Sequence, residues 1–174
     1  QIKHRQRLAR LQEEKRRILA KPPESALEEI LDHPRAAALV HSMAEEDLFF
    51  LVHDIGPEDA LELLSLASNR QWEYILDVEI WNRDRISTGA LTHWMNLLSR
   101  ADGDRFIKWA MEEKSELLEY YLQEAIDIRV REDQEDPGDL PDGFFTYDGV
   151  FYTRIRDDFL NAIEDEETRD QREH

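Results

Sequence analysis

Apolar residues recur every three or four positions along most of the chain, the spacing that gathers them on one face of an α-helix. The pattern predicts a first helix over residues 2–20 and a last helix of the same series over residues 115–131, with a break at residues 82–87. Most of these helices have only about two or three turns, a length that is marginal for an isolated helix in water, so each must pack on its neighbours. We therefore predict an all-α, right-handed superhelical stack of about seven to nine short helices, similar to HEAT repeats, in one domain.

Capping residues and prolines predict where individual helices begin and end. The sequence Ser-Ala-Leu-Glu at residues 25–28 has the form of a capping box, which predicts that a helix opens there. Pro34 suits the first position of the next helix, and Pro57 suits that of a later one. Gly56 is placed to end a helix in a left-handed conformation, and Ser68 is placed to cap the start of another.

The segment FFTYDGVFYTRI, residues 144–155, does not follow the helical spacing and predicts one β-hairpin. The Asp-Gly pair at residues 148–149 favours a two-residue type I′ turn, in which both central residues have positive φ. The register that this turn predicts pairs Tyr147 with Val150 and Phe145 with Tyr152.

A two-stranded ribbon is marginal alone in water, and neither face of this one is polar enough to remain hydrated. We predict that one face packs on the helical stack, and its members are Phe145, Tyr147, Val150 and Tyr152. The other face is then free for another surface, and its members are Phe144, Thr146, Phe151 and Thr153. The alternative is that both faces are buried under the C-terminal helix, around Phe159 and Ile163.

Charge is unevenly distributed along the chain. The net charge is −18, which argues against general nucleic-acid binding because that requires a cationic surface. Residues 1–21 carry a net charge of +6, residues 22–131 carry −13 and residues 132–174 carry −11. The first segment is expected to be a basic arm that docks on an acidic surface of this chain or of a copy. The alternative is a helix that packs a thin apolar stripe on the body while its Lys and Arg side chains remain solvated.

These patterns divide the chain into four segments of one compact domain. They are the basic helical arm at residues 1–21, the helical stack at residues 22–131, an acidic loop at residues 132–143, and the hairpin with a C-terminal helix at residues 144–174. The chain has no cysteine, which fits a reducing cytoplasm. Its longest apolar runs are five residues, far short of a membrane span, so no membrane insertion is expected. The absence of an initial Met suggests a fragment of a longer protein.

The residues predict no catalytic site and no cofactor site. The acidic loop comes nearest to a metal site, but against the calcium-loop template Pro137 replaces one ligand and Phe144 stands where a bidentate Glu is needed. Loose binding of Mg²⁺ or Ca²⁺ remains an alternative to a solvated acidic linker. The candidate ligands are Asp133, Glu135, Asp136 and Asp139.

Two resemblances follow from longer segments. DLFFLVHDIGPEDALELLSLASNRQWEYILD, residues 47–77, resembles the N-domain of MgtE-type magnesium transporters, which implies a curved stack of short helices. In those transporters this domain is cytosolic and helps to sense magnesium. From about residue 10 to residue 160 the chain resembles an uncharacterised bacterial protein family, through EEDLFFLVHDIGPEDALELLSLASNRQWEYILDVEIWNRDRI and LPDGFFTYDGVFYTRI. Members of that family are longer than this chain, and the resemblance implies no activity.

We therefore expect a non-enzymatic, cytoplasmic module for protein interaction or regulation within a larger bacterial protein. The alternatives are a Mg²⁺-responsive regulatory domain and a metal-assisted hydrolase. The expected partner is another protein, the remainder of the same protein, or a second copy in a homodimer. The candidate partner-binding residues are Phe144, Phe151 and Trp81.

Overall fold

The computed structural model describes residues 2–131 and 142–161, and most of these residues are helical. The helices are α1 (Ile2–Leu19), α2 (Pro23–Leu31), α3 (Ala36–His41), α4 (Glu45–Ile55), α5 (Leu61–Leu66), α6 (Asn69–Glu79), α7 (Thr88–Ala101), α8 (Gly103–Glu113) and α9 (Ser115–Ala125). The strands are β1 (Trp81–Asn82), β2 (Arg85–Ile86), β3 (Ile126–Val130), β4 (Phe145–Thr146) and β5 (Phe151–Ile155). Residues 157–161 are again helical. The fold is thus mostly helical with two small antiparallel sheets, rather than all-α.

The helices pack in an alternating order that builds one core. α2 lies on α4, α3 on α5, α4 on α6 and α5 on α7, while α7, α8 and α9 contact one another in sequence. The buried apolar core runs from Ile18 in α1 to Trp109 in α8 and includes Trp72 and Trp94. The predicted mutual packing is confirmed, because helices of six to fourteen residues, as α2 to α9 are, depend on such contacts.

The second half of α1 and the turn after it lie on acidic side chains of the same chain. Arg17 Nη2 is 2.6 Å from Glu29 Oε1, and Lys21 bonds the other carboxylate oxygen of Glu29. Lys15 Nζ is 3.9 Å from Asp47 Oδ2 in α4. The hydrogen bonds from Lys21 and Arg17 hold the pKa of Glu29 below its usual value. These contacts join the basic arm to α2 and α4.

Gln71 joins the start of α6 to the end of α3, and its side chain is only 2% exposed. Its Nε2 donates to the carbonyl oxygens of Val40 at 2.8 Å and of Met43 at 3.2 Å. Its Oε1 accepts the backbone N–H of Ser68 at 2.8 Å, and Ser68 Oγ accepts the backbone N–H of Gln71 at 3.3 Å. One buried amide therefore completes the capping box of α6 and supplies donors to carbonyls at the end of α3.

Arg105 and Trp72 form a second junction, at the end of α5. Arg105 Nη1 donates to the carbonyl oxygen of Ala67 at 2.7 Å, and Trp72 Nε1 donates to that of Leu64 at 2.8 Å. The guanidinium of Arg105 lies 3.8 Å from the centre of the Trp72 ring, and burial lowers the pKa of Arg105. Trp109 meets Trp72 edge to face with ring centres 5.6 Å apart. Hydrogen bonds thus join the C-terminal end of α5 to α6 and α8.

Three of the predicted helix starts are wrong, and two other signals are confirmed. α2 begins two residues before Ser25 because a proline, which needs no acceptor for an N–H, occupies its first position. α3 begins two residues after Pro34 and α5 begins four residues after Pro57, since both prolines lie in the preceding turns. Gly56 ends α4 with a positive φ of 101°, and Ser68 caps α6.

The prediction of a helix over residues 115–131 is wrong beyond Ala125. Residues 126–130, with the sequence Ile-Asp-Ile-Arg-Val, form β3, because alternation of apolar and polar residues suits a strand with two different faces. β3 joins the predicted hairpin in a three-stranded antiparallel sheet of order β3-β5-β4. The break at residues 82–87 contains a second, shorter hairpin of β1 and β2.

The predicted register of the hairpin is wrong by one residue. Phe145 pairs with Thr153, and Thr146 pairs with Tyr152. The turn is not type I′, because within residues 142–161 only the glycines have positive φ, among them Gly149 at 72°. The turn therefore holds one more residue than predicted. A slip of one residue changes which side chains share a face of the sheet.

Replacing Gln71 with Leu should destabilise the fold, because the side chain keeps its approximate size but can no longer donate to α3 or complete the capping box. We expect the free energy of unfolding to fall by about 2 kcal/mol. Urea unfolding followed by far-UV circular dichroism measures this change. The matched control is Gln123→Leu at an exposed position of α9, which should change the free energy by less than about 0.5 kcal/mol. Equal effects of the two substitutions would contradict the role given to Gln71.

Candidate functional site

The sheet of β3, β5 and β4 has two chemically different faces. Residues that pair across antiparallel strands point to the same side, so the register assigns each side chain to a face. One side, which we call the apolar face, carries no charged side chain. Its members are Ile126, Ile128, Val130, Phe145, Phe151, Thr153 and Ile155.

Most of the apolar face is open to solvent. Its five large exposed side chains are between 48% and 58% exposed, and they are Ile128, Val130, Phe145, Phe151 and Ile155. Tyr147 extends the face beyond β4: it is 95% exposed and meets Phe145 edge to face with ring centres 5.7 Å apart. Apolar side chains from all three strands therefore form one continuous exposed surface.

The opposite face of the sheet is charged at its edges and buried at its centre. Tyr152 is only 7% exposed, so this face is covered at its centre, in contrast to the apolar face. Arg154 Nη2 donates to Asp127 Oδ2 of the paired strand at 2.7 Å. The guanidinium groups of Arg154 and Arg129 lie 4.9 Å and 5.5 Å from the centre of the Phe144 ring. All the ionic chemistry of the sheet is on this side.

The turn between β4 and β5 is held by side chains rather than by a two-residue backbone turn. Asp148 Oδ1 accepts the backbone N–H groups of Val150 and Phe151, each at 2.9 Å. Thr146 Oγ1 accepts the backbone N–H of Gly149 at 2.9 Å. The hydrogen bonds from Val150 and Phe151 hold the pKa of Asp148 below its usual value. These side-chain hydrogen bonds accompany a turn of three residues, and in the resulting register Phe145 and Phe151 lie on the same face.

The exposed apolar surface is large for a chain of this size. The exposed parts of the five large side chains and Tyr147 amount to roughly 500–900 Å², on the order of 150 to 250 Å² being taken for each fully exposed large side chain. The largest apolar patch on a typical monomer is about 300–600 Å², and a standard protein interface takes about 800 Å² from each partner. The apolar face thus has the size of a protein-binding surface.

The three candidate partner-binding residues lie in different environments. Phe151 is on the apolar face and is 52% exposed. Phe144 is on the opposite face, half-buried beneath two arginines. Trp81 is 49% exposed, but it belongs to the separate hairpin of β1 and β2. The prediction that Phe145, Tyr147 and Val150 pack on the stack is wrong, because the one-residue slip leaves only Tyr152 of that set buried.

The register was the information that sequence reasoning lacked at this site. The helix predicted over residues 115–131 includes the residues of β3, so the sequence prediction does not give Ile128 and Val130 as partner-binding residues. The alternation Ile-Asp-Ile-Arg-Val was the signal that identifies them. The alternative in which both faces are buried is wrong for the described residues, although Phe159 is buried against Tyr121 with ring centres 5.5 Å apart. Ile163 lies outside the described residues.

Among the side chains that the structure describes, those of residues 10–131 and 142–161, no three His, Asp or Glu side chains come together as a metal site requires. The four candidate ligands, Asp133, Glu135, Asp136 and Asp139, lie outside the described residues.

Three histidines of the helical body, His33, His53 and His93, take part in contacts with neighbouring side chains or backbone. His53 Nε2 is 3.0 Å from Glu79 Oε1, and the other oxygen of that carboxylate accepts the Nε1–H of Trp94 at 3.1 Å. His33 Nδ1 accepts the backbone N–H of Arg35 at 3.0 Å. These contacts fasten turns and neighbouring helices.

The comparison with known families covers nearly the whole chain. A model described as a family of unknown function, DUF6178, matches residues 3–167. The chain belongs to this family. No curated protein and no solved structure matches it. For the parts of this DUF6178 chain that the structure describes, none of the helices combines the length and the apolar character needed to cross a membrane.

Phe151→Ser and Tyr152→Ser should differ sharply, because the two neighbouring residues lie on opposite faces. Tyr152→Ser removes a buried ring and should lower the free energy of unfolding by about 3 kcal/mol or more. Phe151→Ser removes a half-exposed ring and should lower it by about 1 kcal/mol or less. Urea unfolding of the two variants measures the difference. A loss for Phe151→Ser as large as that for Tyr152→Ser would show that the apolar face is part of the core.

Proposed function

We propose that this chain is a non-enzymatic, cytoplasmic protein-interaction module of a larger bacterial protein. Its binding surface is the apolar face of the three-stranded sheet, and its partner is an uncharged, apolar surface of another protein. The observation that carries this proposal is the continuous exposure of Ile128, Val130, Phe145, Phe151 and Ile155 on a face without charge.

The contrast between this face and the rest of the chain supports the choice of partner. Charged residues make up 36% of the sequence and the net charge is −18, so an anionic partner is repelled and an apolar partner would have to desolvate charged groups over most of the surface. The apolar face is different because Asp127, Arg129 and Arg154 all lie on the other side of the sheet. A partner with charged groups at the contact would have to bury them unpaired, which costs several kcal/mol per charge. An apolar protein surface avoids that cost.

The helical body supports such a surface by holding the sheet in place. α9 runs directly into β3, and at this junction Arg156, which follows β5, donates its backbone N–H to the carbonyl oxygen of Ala125 at 2.9 Å. We further propose that the helices form a superhelical stack like that of the MgtE N-domain, which the alternating packing order supports. A rigid body lowers the entropy that the sheet loses on binding.

Photo-crosslinking from position 145 tests the apolar face directly. With p-benzoylphenylalanine in place of Phe145, in the cells that naturally make the protein, we expect one covalent product with a different protein. Phe145 is suitable because β4 is the edge strand farthest from β3. The matched control places the same photoreactive residue at Phe50, which is 62% exposed on α4, outside the sheet.

The crosslink must also depend on the rest of the face. Adding Ile128→Asp, which puts a charge at the centre of the apolar face, should abolish the product from position 145. A product of twice the chain's mass would identify a second copy as the occupant and overturn the choice of partner. An equal yield from Phe50, or a product that survives Ile128→Asp, would contradict the proposal.

We propose as a second candidate a Mg²⁺-responsive regulatory domain that uses the acidic residues of the chain; it rests only on the resemblance inferred from the sequence of residues 47–77. The two proposals differ in their response to Mg²⁺. For an interaction module we expect millimolar MgCl₂ to change the melting temperature no more than NaCl of matched ionic strength does, since screening alone acts. Differential scanning fluorimetry measures both. A rise of several degrees with Mg²⁺ alone would favour the metal-responsive domain.

A further inference from the structure

The outer edge of β3 presents free hydrogen-bonding groups. In the sheet order β3-β5-β4, β3 is an edge strand of the described structure. Arg131 donates its backbone N–H to Val150, and Arg156 donates its own to Ala125, each at 2.9 Å. Antiparallel strands exchange hydrogen bonds at every second residue, so the odd-numbered positions of β3 are bonded to β5. The backbone N–H and C=O groups of Ile126, Ile128 and Val130 therefore point outward.

The sequence of β3 is complementary to itself in the antiparallel direction. Ile-Asp-Ile-Arg-Val, turned about its central residue Ile128, places Asp127 opposite Arg129 of a second copy, and Arg129 opposite Asp127. Ile126 lies opposite Val130 in the same arrangement. Opposite charges on directly facing residues stabilise an antiparallel pair, and like charges destabilise it.

The backbone geometry permits this register. Its hydrogen-bonded pairs are Ile128 with Ile128 of the copy, and Ile126 with Val130 of the copy, and these are the residues whose backbone groups point outward. Asp127 and Arg129 fall at the non-hydrogen-bonded pairs, where Cα atoms are about 4.5 Å apart and side chains are closest. The ion pair of Asp127 with Arg154 in its own chain uses one carboxylate oxygen, Oδ2.

We propose that two copies of this chain associate through β3, which pairs antiparallel with β3 of the second copy and forms a continuous six-stranded sheet. The two apolar faces then lie on the same side, because directly paired residues share a face of a sheet. The proposal goes beyond the function proposed above and does not depend on which protein covers the apolar face. It concerns the edge of the sheet rather than its face.

The charges favour one register among those that the backbone allows. A shift of the pairing in one direction brings Asp127 opposite Asp127 of the copy. A shift in the other direction brings Arg129 opposite Arg129 but also Asp127 opposite Arg131 of the copy, so the charges oppose it less strongly. Overall repulsion between two chains of charge −18 acts over longer distances and is screened beyond about 8 Å at physiological ionic strength, whereas the facing pairs are closer than that.

Charge reversal at the two facing positions tests the pairing. In about 0.15 M NaCl, where long-range repulsion is screened, sedimentation velocity of the wild-type chain over a concentration series should reach twice its mass of 20.7 kDa. Arg129→Asp places Asp opposite Asp, and Asp127→Arg places Arg opposite Arg, so each variant alone should associate at least about tenfold more weakly. An equimolar mixture of the two variants restores both opposite-charge pairs and should regain the doubled mass.

A backbone variant gives an independent measurement. Ile128→Pro removes an outward N–H, which an edge strand tolerates, so it should give a monomer that retains its helical circular dichroism spectrum. Ile128→Val is the matched control and should remain dimeric. If Asp127→Arg fails to fold because it loses the pair with Arg154, then Arg129→Asp and Ile128→Pro decide the question. A wild-type chain that stays at 20.7 kDa, or variants that dimerise as the wild type does, would overturn the proposal.

Loss of the dimer is distinguishable from loss of the proposed function. Phe151→Ser changes the apolar face but leaves the outer edge of β3 unchanged, so this variant should retain the doubled mass. Arg129→Asp, in turn, should still form the crosslink from position 145, which lies on the opposite edge of the sheet. Dimers that disappear with Phe151→Ser would show face-to-face association and contradict pairing through β3.

Discussion

The architecture depends on how short helices dispose of the polar groups at their ends. α3 and α5 have only six residues each. Carbonyl groups that find no N–H partner within the helix are therefore a large fraction of all carbonyl groups in each of them. Donors come from other helices: Gln71 bonds carbonyls at the end of α3, and Arg105 and Trp72 bond those at the end of α5. The same side chains lie within the core. The same two junctions therefore pack the helices together and supply hydrogen bonds to the carbonyl groups at helix ends.

A second constraint is the turn between β4 and β5, whose hydrogen bonds go with the register of the sheet and so with the composition of the apolar face. Asp148 and Thr146 capture three backbone N–H groups between β4 and β5. This capture adds a residue to the turn and shifts the register by one. With the shift, Phe145 joins Phe151 on the exposed face. The shift exchanges Phe151 and Tyr152 between the two faces of the ribbon, so that Tyr152 is buried and Phe151 is exposed.

The sheet keeps charged and apolar side chains on opposite faces, whereas the rest of the surface mixes the two kinds. Its packed face holds Asp127, Arg129 and Arg154, and its open face holds only uncharged side chains. The first set gives the edge of β3 its self-complementary charges, and the second gives the sheet its apolar face. Edge and face meet at β3, which contributes side chains to the apolar face and backbone groups to the outer edge. Since β3 continues α9 without a break, the helical body holds both in place.

The sequence alone determined the helical body, because apolar residues at helical spacing have one favourable solution, and Ser68 and Gly56 act through local backbone chemistry. The sequence also contains the alternation of apolar and polar residues that is typical of β3, but the helix predicted over residues 115–131 covers this segment. The three-stranded sheet and its register were decided by tertiary structure. Which side chains share a face with Phe145 depends on the residue that it faces in another strand. That pairing goes with hydrogen bonds donated to Asp148, which the spacing of apolar residues does not reveal. Local sequence patterns specify individual helices and strands, whereas only the pairing of the strands specifies which side chains lie on the exposed face of the sheet.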